Sequence, residues 1–220
     1  MSTWDTYFQT YLRPISKSWT EYDVKKYANW YFGWIKFIEK KFYISFYSKK
    51  VFEIGSGAGG VCYLLNQLGA NIVGSDISRM MVKKAKRNIS SVPFVYCDIQ
   101  KKIPSRIKYD YIMGFEVLEH LNNPTKGIVN IYKALKTKGM FIGSTPYPFP
   151  KNLIDPTHVN VKYPEQWKKL FIDSGFKNVI CQPLSFLPLL WRINRSLNIS
   201  LPFYVSLPGF VSTTLLVAER

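Results

Sequence analysis

The chain has 220 residues, 47% of them hydrophobic, with 30 basic against 14 acidic side chains and a net charge of +16. That length suits one globular domain, and 15 Phe, 15 Tyr and 6 Trp beside only 20% charged residues exclude a disordered tail or a coiled coil. Three cysteines (Cys62, Cys97 and Cys181) give an odd set without metal-ligand spacing, which excludes a disulfide scaffold and suits a reducing, cytoplasmic compartment.

Met1-Ser2-Thr3-Trp4-Asp5 has neither a basic nor an apolar signal region, so no secretory leader is expected. Residues 1–48 read as a helical N-terminal cap, because Trp30, Trp34, Phe37, Ile38 and Phe42 recur at spacings of three and four. Residues 49–220 alternate short apolar runs with helical segments. Strands are expected at Val51–Ile54, Asn71–Ser75, Val92–Tyr96, Tyr109–Phe115, Met140–Ser144, Val179–Pro183 and Val211–Val217. Helices are expected at Gly60–Leu68, from an N-cap at Ser78 to Ile89, at Pro124–Lys136 and at Pro164–Ser174. This alternation predicts an α/β fold: a seven-stranded, mostly parallel sheet with helices on both faces.

The alternation fails between Leu184 and Phe210. There Phe186, Leu187, Leu189, Leu190 and Trp191 stand with Arg192 and Arg195, as in an insertion that meets a lipid headgroup or shields an apolar substrate. Ser196 to Ala218 carries no formal charge and is long enough to span a bilayer, but Pro202, Pro208 and Gly209 break it. Basic residues are spread along the chain, and the cluster Lys83, Lys84, Lys86 and Arg87 has the spacing of a solvated helix face. RNA and an anionic membrane surface stay open as partners.

The strongest chemical signal is Glu53-Ile54-Gly55-Ser56-Gly57-Ala58-Gly59, in which a buried strand runs into a glycine turn and then a helix. Glycine permits positive φ and lets a ligand press on bare backbone, while the helix N-terminus offers amide donors. Asp76 closes the next strand 21 residues after Gly55, the distance at which a carboxylate grips a ribose diol. Asp98 and Glu116 follow the next two strands. In a chain with only 14 acids, this places carboxylates at the ends where parallel sheets bind ligands.

The glycine spacing is G-x-G-x-G rather than the dinucleotide-binding G-x-G-x-x-G. With Asp76-Ile77-Ser78, Cys97-Asp98-Ile99 and Phe115-Glu116-Val117-Leu118-Glu119-His120-Leu121, the sequence resembles the class I S-adenosylmethionine-dependent methyltransferases, in the group that includes the quinone O-methyltransferases. The resemblance implies a Rossmann-like fold whose last strand is antiparallel, with S-adenosylmethionine as cofactor. It implies that Glu53, Gly55, Ser56 and Gly57 border the cofactor's amino-acid portion. Asp76 with Ile77 would then hold the ribose, Asp98 with Ile99 the adenine, and Glu116 would stand beside them.

Glu116-x-x-Glu119-His120, with His158 far downstream, is a second constellation. Carboxylate and imidazole at these spacings can face one way where a strand turns into a helix, and oxygen with nitrogen ligands suits Mg²⁺ or Mn²⁺. The same run resembles the metal-binding segments of quinone O-methyltransferases and of small-RNA 2′-O-methyltransferases. Packing support without a metal is the alternative reading. Glu119, His120 and His158 are the candidate catalytic residues, with His158 as general base or ligand. O-methylation of a small or lipid-like acceptor is the expected activity. RNA 2′-O-methylation and a catalytically silent cofactor-fold module are the alternatives, and the oligomeric state is not read.

Overall fold

The structure, a computed structural model, describes residues 20–104, 107–187, 199–205, 207 and 211–220. The first nineteen residues of the expected cap lie outside these, as do Leu189, Leu190, Trp191, Arg192 and Arg195 of the expected insertion.

Helix α1 (Glu21–Phe42) begins at a reciprocal cap in which the Thr20 amide donates to Asp23 and the Asp23 amide to the Thr20 hydroxyl. The apolar stripe read from spacing buries Trp34 and Ile38, together with Val24, Ala28 and Ile35. These side chains join a core shared with α2 (Gly60–Gln67) and α3 (Arg79–Asn88) on one face of the sheet. The opposite face is covered by α4 (Pro124–Ala134) and α5 (Pro164–Asp173) around Phe52, Phe141, Trp167 and Phe171.

The sheet runs β3-β2-β1-β4-β5-β8-β6-β7. Strands β1 (Lys50–Ile54), β2 (Asn71–Asp76), β3 (Phe94–Tyr96), β4 (Tyr109–Phe115) and β5 (Leu135–Pro146) are parallel neighbours. Strand β8 (Val211–Glu219) inserts antiparallel between β5 and β6 (Lys177–Leu187). All seven expected strands form, and a short eighth, β7 (Ile199–Leu201), pairs antiparallel with the outer end of β6.

Boundaries differ where local chemistry differs from the apolar pattern. Strand β3 starts at Phe94 rather than Val92, after Pro93, which has no N–H for a ladder. Strand β6 runs on to Leu187, so the first residues assigned to the insertion continue the sheet, held between Val211–Ser212 of β8 and β7. Apolar periodicity misses this extension because Ser185 is buried and hydrogen-bonded to Ser212 at 2.6 Å.

Candidate active site

Strand β1 lies between β2 and β4, and the sequence switches from the ladder to glycine where the chain must turn into α2. Gly55, Gly57 and Gly59 all have positive φ. A Cβ on Gly55 would stand 2.4 Å from Val117, so that position requires glycine for packing as well as for its backbone. A Cβ on Gly57 would meet nothing within 4 Å, so the loop opens onto free space there. The Ser56 amide donates to the Ser75 carbonyl, whereas its hydroxyl is buried without a hydrogen-bond partner among the described residues. Such a hydroxyl costs on the order of 1–3 kcal/mol unless a ligand satisfies it.

Asp76, 4% exposed, accepts the Gly57 amide at 3.0 Å on one oxygen and the Ser78 amide at 2.8 Å on the other. The carboxylate read as a ribose ligand thus also ties the glycine loop and the start of α3 to the end of β2. Ile77 follows it, half-buried. Asp98 stands two residues past β3 and accepts the Gln100 amide at 3.0 Å, while the Ile99 side chain packs in the α4 core and its carbonyl accepts from Asn130. Glu53 precedes the loop at the end of β1. Its carboxyl is buried against Cys62, whose thiol lies 2.7 Å away, and burial pushes the acid up to about 7. The same burial, with the nearby Glu53, holds the Cys62 thiol well above its ordinary range.

Glu116 takes a left-handed backbone, φ 53°, directly after β4, a conformation that costs a non-glycine residue energy and turns the chain sharply. Ser144 of β5 and Thr213 of β8 donate to its carboxylate at 2.6 and 2.9 Å. Burial still raises its pKa above the ordinary value. The 3₁₀ turn Leu118–His120 then brings Glu119 inward, fully buried, with one oxygen accepting from Thr145 at 3.3 Å. Burial first and the neighbouring Glu116 second raise Glu119 well above the carboxylate range. Its other oxygen has no hydrogen-bond partner among the described residues and lies 3.7 Å from His120 Nε2.

The two histidines converge from separate loops. Nδ1 of His120 faces the Thr157 carbonyl at 3.0 Å and Nδ1 of His158 faces the Asn152 carbonyl at 2.7 Å. A carbonyl only accepts, so both Nδ1 atoms carry the proton and Nε2 is the lone-pair nitrogen of each neutral ring. Burial lowers the His120 pKa, which favours that neutral form. The rings stand 4.9 Å apart, and one ligand atom each from Glu119, His120 and His158 lie within 4.8 Å of one another. His158 Nε2 is also 3.8 Å from Asp155. Glu116 bonds to Ser144 and Thr213 and is not in that three-residue group.

Sequence reasoning missed Ser144, Thr145, Thr213, Asn152 and Asp155. The available signal was a run of hydroxyl side chains at the end of β5 and the start of β8, where a buried strand would otherwise be apolar. It also missed Tyr147 and Tyr204, whose ring centroids are 4.0 Å apart beside this site.

The strand order, the glycine loop at the carboxyl end of the central strand and the acids after successive strands define a Rossmann-like methyltransferase fold of the S-adenosylmethionine-dependent class. A family model described as a methyltransferase domain matches residues 27–180, and the chain belongs to that family. Over 99 residues it is 31% identical to a ubiquinone biosynthesis O-methyltransferase of Bradyrhizobium diazoefficiens, covering 44% of this chain and 39% of that protein. A malonyl-[acyl-carrier protein] O-methyltransferase of Halalkalibacterium halodurans is 31% identical over 105 residues, again 44% of this chain and 39% of its own. These alignments thus span about two-fifths of the length of the curated relatives. Among solved structures, phosphoethanolamine N-methyltransferase 2 of Haemonchus contortus, in complex with S-adenosyl-L-methionine, superposes with TM-score 0.69 at 14% identity, over 100% of this chain and 60% of its own. A TehB-like methyltransferase of Corynebacterium glutamicum does so with TM-score 0.60 at 16% identity, over 98% and 97%.

Proposed function

We propose that the chain transfers a methyl group from S-adenosylmethionine to an oxygen atom of a small or lipid-like acceptor. The observation that carries this reading is the convergence of Glu119, His120 and His158, with both Nε2 atoms as lone-pair nitrogens, just beyond the end of the strand adjoining the glycine loop. The names of the curated relatives, which are O-methyltransferases, support it.

Bound S-adenosylmethionine supplies a methyl group on a sulfonium, open to in-line displacement, so the protein's main contribution is alignment. The open space at Gly57 and the unsatisfied Ser56 hydroxyl fit its amino-acid portion, beside Gly55 and Glu53. Asp76 and Ile77 would hold the ribose, and Asp98 with the Ile99 backbone the adenine. His158 would take the acceptor hydroxyl's proton on Nε2, which lies 3.8 Å from Asp155.

The donor set also fits a divalent cation. One carboxylate oxygen without a partner and two imidazole nitrogens would hold Mg²⁺ or Mn²⁺ at Glu119, His120 and His158, with Glu116 adjoining; His158 would then be a ligand in place of the base, because its Nε2 has a single lone pair. The ion would supply positive charge beside the acceptor oxygen.

Within this reading the described part of residues 49–220 carries the cofactor, and residues 20–48 with the described residues of the 184–210 segment border the acceptor side. Tyr31 and Trp34 of α1 support that placement, since their rings stand 5.5 and 4.6 Å from Phe115 at the end of β4. We place the protein in the cytoplasm, in part at a membrane surface.

The test pairs calorimetry of S-adenosylmethionine with methyl transfer to a catechol probe. His158→Ala is expected to keep cofactor affinity within about twofold and lose transfer by at least a hundredfold. Equal transfer by the variant would remove His158 from the chemistry.

A further inference from the structure

Two loops that leave the same end of the sheet carry most of the exposed aliphatic surface among the described residues. Leu153, Ile154 and Val159 follow β5, and Leu207 and Val211, together with the aromatic Phe203, precede or begin β8; Ile154 is 79% and Leu207 64% exposed. Because β8 is antiparallel to β5, its first residues lie beside the last residues of β5, with Pro146 opposite Thr213. The tilted ring pair Tyr147 and Tyr204, with centroids 4.0 Å apart, joins the two loops, and the Phe149 ring stands 6.0 Å from Tyr204. The return segment is pinned, not loose. Ser185 and Ser212 hydroxyls bond the Val205 amide at 3.0 Å each, Ser185 donates to the Phe203 carbonyl at 2.7 Å, and Tyr204 bonds Thr214 at 3.0 Å. A rigid support therefore presents large apolar side chains to water on the rim beside His158, whose own loop supplies Leu153, Ile154 and Val159.

Exposed apolar side chains grouped on a rim mark an interaction surface. The charge selects the partner. The chain carries a net charge of +16, an excess that draws it to anionic surfaces. A strongly basic protein that presents protruding aliphatic groups matches an anionic bilayer, where the apolar tips enter the headgroup boundary and the net positive charge is attracted to lipid phosphate. No helix of the described residues is long and apolar enough to cross a membrane.

We propose that this rim docks on a bilayer containing anionic lipid, with the active-site mouth facing the membrane. As the route of a lipid-like acceptor, the proposal rests on the function proposed above; as a surface, it rests on the rim itself. Bilayer-borne acceptor would then reach His158 without passing through water.

Sedimentation of the full chain with vesicles of phosphatidylcholine alone, or with phosphatidylglycerol added, tests it. Wild type is expected to bind the phosphatidylglycerol vesicles at least tenfold more tightly, with binding weakened by salt. The double variant Ile154→Ser with Leu207→Ser is expected to lose at least tenfold of that binding, with unchanged thermal midpoint and unchanged S-adenosylmethionine affinity. Equal binding by the variant, absence of binding by wild type, or equal binding to both vesicle types would overturn the proposal. So would a concentration-dependent dimer dispersed by the double variant, since the rim would then cover a second copy. If vesicle binding behaves as expected while calorimetry shows no S-adenosylmethionine binding, the proposed function fails and the docking surface stands.

Discussion

Asp76 accepts the amide of Gly57 at 3.0 Å, nineteen residues back along the chain, so the acid at the end of β2 sets the position of the glycine loop it faces. A ligand contact and a structural tie therefore share one carboxylate. Replacing Asp76 by Ala removes two charge-assisted hydrogen bonds, to Gly57 and Ser78, each worth on the order of 1.5–3 kcal/mol. The variant is expected to lose at least 1.5 kcal/mol of stability in urea denaturation and at least tenfold in S-adenosylmethionine affinity by calorimetry. Asp76→Asn, which retains one acceptor oxygen, should fall between. Unchanged affinity in the alanine variant would separate Asp76 from the cofactor.

Gly57 and Gly55 make a contrasting pair. Gly57→Ala adds a methyl group to open space, so its cost to the fold is confined to positive-φ strain of about 1–2 kcal/mol, whereas the same change at Gly55 also drives Cβ into Val117. We expect Gly57→Ala to fold and to bind S-adenosylmethionine at least tenfold more weakly. We expect Gly55→Ala to be rescued in part by Val117→Ala. Normal cofactor binding by Gly57→Ala would mean that the open space serves something else.

Glu53 predicts a pH dependence with a definite sign. Its folded pKa, about 7, lies above the unfolded value, so between the two the folded state holds a proton that the unfolded state has released. Stability from this group is fully present below the unfolded pKa and is lost as pH rises toward and through 7, by up to roughly 3 kcal/mol. Glu53→Gln, which cannot ionise, should flatten that part of the profile and gain stability relative to wild type at pH 8. Parallel urea-denaturation profiles for the two proteins from pH 5 to 8 would contradict the burial account.

Manganese gives a direct reading of the Glu119, His120 and His158 group. A ligand that binds only the folded state raises stability with its concentration, by about 2.7 kcal/mol at a hundredfold excess over its dissociation constant. Wild type should show a rising thermal midpoint with added Mn²⁺, and Glu119→Gln and His158→Ala should not. A midpoint that moves equally in all three proteins would place the cation elsewhere.

The sheet was legible because buried parallel strands are continuous apolar runs: Tyr109–Phe115 has the same limits in sequence and structure. The Ser78 cap and the prolines opening α4 and α5 were equally direct, being local chemistry. Other features depended on distant partners. Glu53 looked like part of the glycine motif, yet the face of β1 it occupies points it at Cys62 on α2. Ser144 and Thr213 could not be tied to Glu116 without knowing that β8 enters the sheet beside β5. The two histidines were singled out by scarcity, but their shared tautomer follows only from the carbonyls of Asn152 and Thr157.

The most direct test is transfer of radiolabelled methyl from S-adenosylmethionine into a cell extract, separated into solvent-extractable, nuclease-sensitive and protein fractions, with and without chelator. The account predicts label in the solvent-extractable fraction, lost in Asp76→Ala and His158→Ala and reduced by chelator. Label confined to the nuclease-sensitive fraction would make the acceptor RNA, and no label in any fraction from a protein that binds S-adenosylmethionine would contradict the catalytic reading.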